Sequence, residues 1–259
     1  MSDARRIAWP DGSVQTVVTS PPYWGQRDYG IPGQIGMEPV FTEYVEAMVD
    51  VAREARRYLT ADGSLWLNLG DTYNTRAVIR PSSHQGGLGH DNESIRLSWS
   101  EAAAQGKVRY SARQPGLKDK DLMLLPYRVA AALVADGWWL RCDVVWSKPY
   151  GAPERVCDRP SRYHESIFLL TPSPHYYYDK SACPEARRSV WEIAVAGADP
   201  TTDHSARFPD ELVRRCVLAT SRPGDVVADP FAGSGTTVRV AESLGRIGWG
   251  NDLATEAAT

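Results

Sequence analysis

The sequence is short of the residues that mark several protein classes. Its four cysteines, Cys142, Cys157, Cys183 and Cys216, form no C-x-x-C pair. Neither a zinc knuckle nor a dithiol redox motif is predicted, and no metal site is expected. Few, unpatterned thiols fit a reducing cytoplasmic setting. No run of about 18 apolar residues occurs, so no membrane-spanning helix is predicted. The opening stretch MSDARRIAWPDGS lacks the apolar core of a secretory signal. Internal repeats and low-complexity tracts are absent as well. Charge of one sign is also lacking: 29 Lys and Arg stand against 32 Asp and Glu, a net charge of −3. That balance argues against a protein that coats nucleic acid with its whole surface.

What is present points to a folded chain. Its 259 residues are 42% hydrophobic and include 9 Trp and 12 Tyr, too many large apolar side chains for a disordered polymer. The length suffices for one sizeable core, and a single domain over residues 1–259 is expected.

The β-branched run Val14–Ser20 reads as a buried strand that stops at Pro21-Pro22. Thr42 is a candidate cap for a helix reaching about Leu59, with apolar residues at 45, 48, 49 and 52. Asp62-Gly63 turns into a strand near Leu65–Leu69. Pro126 fits the first turn of a helix that stops at Gly137, followed by a strand over Trp138–Trp146 and another over Ser166–Leu170. A helix from Pro209 to about Ser221, a strand Val226–Asp229, a helix Thr236–Leu244 and a strand Ile247–Asp252 complete the pattern. Alternation of this kind predicts an α/β fold: a mostly parallel, twisted sheet with helices on both faces.

Residues 74–118 break the pattern. Five glycines and two prolines interrupt them, so a loop or insertion is expected. Arg76, Arg80, Arg96, Lys107, Arg109, Arg113 and Lys118 outnumber Asp91, Glu93 and Glu101, a local excess of four positive charges. A basic, Gly-rich segment suits phosphate tracking and entry into a groove; the plainer alternative is a solvated surface loop.

Two motifs sit at predicted strand ends, where open α/β sheets bind ligands. In DPFAGSGTT (229–237), glycines between strand and helix let the backbone approach a ligand closely. Asp252 lies 17 residues past Gly235 at the end of the next strand. An acid there can accept both ribose hydroxyls of a nucleoside. The spacing is not G-x-G-x-x-G, which disfavours a dinucleotide. In TSPPYW (19–24), a Ser hydroxyl and carbonyls fixed by prolines can accept the two N–H bonds of an exocyclic amine. Such an amine is a weak nucleophile because its lone pair is delocalised into the base; acceptors on its hydrogens favour a more pyramidal nitrogen. Tyr23 could stack on an extracted base. His164-Glu165 reads as a loop-to-strand hydrogen-bonding pair rather than an acid/base couple.

Together these motifs resemble the DNA amino-methyltransferases that methylate cytosine N4 or adenine N6 with S-adenosylmethionine. The order, catalytic motif before cofactor motif, resembles the β group. HSARFPDEL (204–212), DGSLWLNLGDTY (62–73) and the stretch 144–170 are similar to further family segments. The resemblance implies a Rossmann-like methyltransferase fold with permuted motif order. It implies that Ser20, Pro21, Pro22 and Tyr23 hold a flipped base. Asp229, Phe231, Gly233, Gly235, Asp252 and Phe208 would line the cofactor, with Asp71 a weaker candidate whose alternative is a turn or helix cap. Target recognition would fall to 74–118 through Arg76, Arg80, Arg96, Lys107, Arg109 and Arg113. Double-stranded DNA is the implied partner, with a cognate restriction endonuclease and a homodimer as further candidates, in the cytoplasm of a bacterial, archaeal or phage-infected cell. No Pro-Cys dipeptide is present, against methylation at cytosine C5. Ser at position 20 resembles the cytosine-N4 enzymes more than the adenine-N6 enzymes. A DNA-binding module that keeps the fold without turnover is the alternative; the intact Ser20, Gly233, Gly235 and Asp252 count against it.

Overall fold

The buried run after Val14 forms the central strand β1 (Val14–Thr19), all six residues of which are buried. This computed structural model describes residues 2–26, 28–75, 77–79, 109–111, 113–149, 156–195 and 209–253, with 77–79 and 109–111 described as backbone. The other strands are β2 (Leu59–Leu69), β3 (Ala77–Ile79), β4 (Arg109–Ser111), β5 (Trp139–Ser147), β6 (His164–Thr171), β7 (Val190–Glu192), β8 (Val226–Asp229) and β9 (Ile247–Gly250). Seven of them make one sheet in the order β7-β5-β6-β2-β1-β8-β9, and β3 pairs with β4 separately. Only β6 opposes its neighbours; the other strands of the large sheet run parallel.

Strand alternation divides the core in two. Val17, Leu65, Leu67, Phe168 and Leu170 pack on one face beneath α1 (Phe41–Tyr58) and α2 (Leu125–Ala135). Val18, Trp66, Ile167, Leu169 and Val227 pack on the other beneath α3 (Asp210–Thr220) and α4 (Thr236–Ser243). Helices on both faces are what two apolar sheet faces require.

Three local expectations change. Thr42 lies inside α1, whose preceding residue Val40 makes no side-chain cap. The buried stripe of α1 is Tyr44, Ala47, Met48, Val51, Ala52, Ala55 and Tyr58, with Val45 and Val49 at its margin. Asp62-Gly63 is no separating turn: β2 starts at Leu59, and its register against β1 shifts between Val14 and Thr16. The segment 74–118 is not wholly irregular, since Ala77–Ile79 pairs antiparallel with Arg109–Ser111.

Glycines on β9 set the distance between α4 and the sheet. A Cβ at Gly248 would meet the Val238 carbonyl oxygen at 2.7 Å, and one at Gly250 would meet the Ala232 Cβ at 2.9 Å. The start of α4, and the loop before it, therefore rest directly on the strand. No helix among the described residues is long and apolar enough to cross a membrane.

Candidate active site

The carboxyl ends of β1, β2, β5, β8 and β9 share one edge of the sheet. Because β6 runs the other way, its first residues lie at that same edge: His164 and Glu165 pair with Ser147 and Trp146 at the end of β5.

Thr19 and Asp229 join the two sequence motifs. The Thr19 hydroxyl donates to Asp229 Oδ1 at 2.6 Å across the β1–β8 pair. Thr237, at the start of α4, donates to Asp229 Oδ2 at 2.9 Å, and the Phe231 amide donates to Oδ1 at 3.0 Å. The carboxyl group thus pins the turn between β8 and α4. Burial pushes its pKa up to about 6, against the opposing pull of those three donors.

The loop above Asp229 is an open cradle. Gly233 and Gly235 both have positive φ, at 49° and 77°. A Cβ on Gly235 would meet nothing within 4 Å. The Gly233 amide donates to Asp252 Oδ2 at 2.7 Å, which draws the acidic side chain to the loop.

On the other side of β1, Ser20 and Tyr23 meet two polar side chains. The Tyr23 hydroxyl lies 2.7 Å from Glu165 Oε2, 3.1 Å from Asn68 Oδ1 and 3.3 Å from Ser20 Oγ. Asn68 Nδ2 donates to Glu165 Oε2 at 3.1 Å, and Glu165 Oε1 pairs with the Lys148 ammonium. Burial, and then the Glu165 carboxylate, push the Tyr23 phenol well above its usual range, so it remains a donor. Its ring packs on Gly70, where a Cβ would approach Cε2 to 2.5 Å. The Pro22 carbonyl accepts the Tyr44 hydroxyl at 3.1 Å, anchoring the motif to α1.

Other predicted site residues are placed differently. Asp71 follows β2, but Oδ1 accepts the amides of Thr72 at 2.9 Å and Leu125 at 3.0 Å, and Oδ2 faces Arg162 at 3.4 Å. Its side chain is 1% exposed, and the two amides on Oδ1 make it a cap at the start of α2. Arg113 pairs with Asp119 at 2.9 Å, so part of the basic charge of 74–118 is neutralised just beyond that segment. Arg109 lies on β4 by its backbone. Phe208, Arg76, Arg80, Arg96 and Lys107 fall outside the described residues. Sequence reasoning singles out neither Asn68 nor Lys148, and takes Glu165 only as part of a loop-to-strand pair. The available signal was the pair of similar family segments that contain them, and local spacing alone could not bring them together.

The family model described as DNA methylase, of the N6/N4 type, matches residues 14–258. The chain belongs to this family. The type II methyltransferase M.Cfr9I of Citrobacter freundii is 44% identical to the methylase, over 91% of this chain and 75% of the relative. M.SmaI of Serratia marcescens is also 44% identical, over 94% and 81%. Among solved structures, the PvuII DNA methyltransferase (cytosine-N4-specific) superposes with a TM-score of 0.71 at 19% identity, over 98% of this chain and 80% of that one. A DNA modification methylase of Thermus thermophilus, in complex with S-adenosyl-L-methionine, gives a TM-score of 0.59 at 25% identity, over 98% and 88%.

The methylase is therefore an S-adenosylmethionine-dependent DNA amino-methyltransferase with a Rossmann-like fold. Its own residues fit that cofactor. The glycine cradle leaves room for a ligand against the backbone, and Asp252 stands beside it with a carboxylate of the kind that can accept ribose hydroxyls. Among the described residues no group of three His, Cys, Asp or Glu could hold a metal ion.

Proposed function

We propose that the methylase modifies cytosine N4 within a defined duplex sequence. The observation that carries this reading is the position of Ser20. It follows β1 at the shared strand edge, joined through Thr19 to the Asp229 turn on one side and through Tyr23 to Glu165 on the other. When bound, S-adenosylmethionine supplies a methyl group made electrophilic by its sulfonium. Asp252 and the glycine loop orient the nucleoside end of the cofactor. Ser20 accepts a hydrogen bond from the target amine. The Pro21 carbonyl is assigned the second N–H, while the Pro22 carbonyl accepts from Tyr44. Rate comes from positioning and from these acceptors. A serine motif supports N4 over N6, and the PvuII enzyme of the same fold is cytosine-N4-specific.

Base recognition is assigned to 74–118, through Arg76, Arg80, Arg96, Lys107, Arg109 and Arg113, as part of a single catalytic domain over 1–259. The kinship with type II methyltransferases supports a sequence-specific target and a cognate restriction endonuclease in the same cytoplasm. A homodimer belongs to the same proposal.

The test is mass spectrometry of nucleosides from PCR-amplified random-sequence DNA incubated with the protein and S-adenosylmethionine. N4-methylcytosine is expected. N6-methyladenine would overturn the choice of base, and no methylated nucleoside would overturn the whole reading.

A further inference from the structure

Ser20 can help an amine only as an acceptor, yet a serine hydroxyl carries one proton of its own. If that proton points into the cleft it faces the amine hydrogens and repels them. Something must hold it elsewhere, and the surroundings of Tyr23 do so.

Glu165 paired with Lys148 is an ionised carboxylate, an acceptor without a proton to give. Its Oε2 lies 2.7 Å from the Tyr23 hydroxyl, shorter than the 3.1 Å from that hydroxyl to Asn68 Oδ1. A phenol has one proton, and the charged, nearer acceptor takes it. The Tyr23 oxygen then has only lone pairs to offer Ser20 Oγ at 3.3 Å. The Ser20 proton is drawn towards Tyr23, and the Ser20 lone pairs are left for the cleft. Asn68 steadies the carboxylate from the side: its Nδ2 donates both to Glu165 Oε2 at 3.1 Å and to the Ser166 carbonyl at 3.3 Å. Lys148 is itself held over the Trp146 ring at 4.4 Å. Glu165 and Lys148 side chains are 16% and 19% exposed. Packing alone would be met by phenylalanine at 23, since the ring, not the hydroxyl, fills the space over Gly70. A hydroxyl and an ion pair placed there cost desolvation and so call for a purpose.

We propose that Glu165 is a positioning residue for methyl transfer: through the Tyr23 hydroxyl it fixes the direction of the Ser20 proton and makes Ser20 a one-way acceptor for the target amine. This rests on the assignment of Ser20 to the amine.

The test is a double-mutant cycle on the full chain, with Glu165→Gln, Tyr23→Phe and the two combined. Single-turnover methyl transfer from tritiated S-adenosylmethionine is followed on PCR-amplified random-sequence DNA, with cofactor affinity by calorimetry. Each single change should slow transfer about tenfold, the order expected for a hydrogen bond to a charged group. KM for DNA and cofactor affinity should stay within about twofold. The double variant should be no slower than the worse single one, because both changes cut one chain. A hundredfold loss in the double variant, the product of independent effects, overturns the proposal, as does a loss of less than twofold in both single variants. Should Glu165→Gln fold poorly with Lys148 unpaired, Tyr23→Phe in wild-type and Ser20→Ala backgrounds serves instead. The loss should vanish in the latter, and its persistence there overturns the proposal. Wild-type protein that forms no methylated amine on DNA overturns the functional assignment and this inference with it; normal wild-type turnover with an additive cycle overturns this inference alone.

Discussion

Asp229 is the residue where the two halves of the site meet, and it is held in conflict. Three donors favour its charged form, while complete burial disfavours it and prevails, lifting the carboxyl to about 6. Between about pH 4 and pH 6 the folded protein keeps a proton that the unfolded chain has released. Folded stability therefore falls as pH rises through that window, by an amount on the order of 3 kcal/mol. An Asp229→Asn variant has nothing to titrate there. Urea unfolding at pH 4.5 and pH 7 should show the wild type losing stability relative to that variant. A difference independent of pH would refute the account.

At the scale of elements, the contact between α4 and β9 governs where the glycine loop lies. Gly248→Ala places a methyl 2.7 Å from the Val238 carbonyl and 2.9 Å from its Cα. Backbone cannot swing aside as a side chain can, so α4 must lift from the sheet. We expect a loss of about 1–3 kcal/mol in urea unfolding and weaker cofactor binding by calorimetry, because the loop moves with the helix. Unchanged cofactor affinity would mean that the loop is positioned by Asp229 alone. This half of the site was readable in the sequence: strand, glycine turn and helix follow one another, and β8 spans Val226–Asp229 as predicted. The other half was only half readable. Ser20 and Tyr23 stand in a contiguous motif, but Glu165 reaches them because β6 runs against its neighbours. Strand direction is decided by non-local pairing, and local periodicity does not carry it. Asp71 shows the same limit: the cap, one of the two roles open to it, depends on an amide at Leu125 that lies 54 positions away. Thr42 misled more simply: a good capping residue stood one position inside the helix it was expected to start.

For the whole molecule, the net charge of −3 divides unevenly. The basic excess of 74–118 is flanked by acids that answer part of it, as Asp119 does for Arg113 and Asp121 for Lys118, the latter at 3.9 Å. DNA affinity should thus rest on few phosphate neighbours and fall with salt in proportion to their number. Changing Arg76, Arg80, Arg96, Lys107 and Arg109 together to Gln should weaken DNA binding and flatten the plot of log K against log salt. The slope should fall by roughly 0.9 for each phosphate that is no longer neutralised. Cofactor affinity should not change. An unaltered slope would assign the phosphates to another surface.

The central strand has one further consequence, for synthesis of the chain. β1 takes β2 as a neighbour on one side soon after both are made, but its other neighbour, β8, is encoded some 200 residues later. On the ribosome, β1 has an unpaired edge for most of translation, in a topology rich in distant pairings that folds slowly. Ser20 emerges early yet has no cofactor turn beside it until the last strands arrive. Until then the β1 edge that β8 will cover stays open, a template on which other chains can pair.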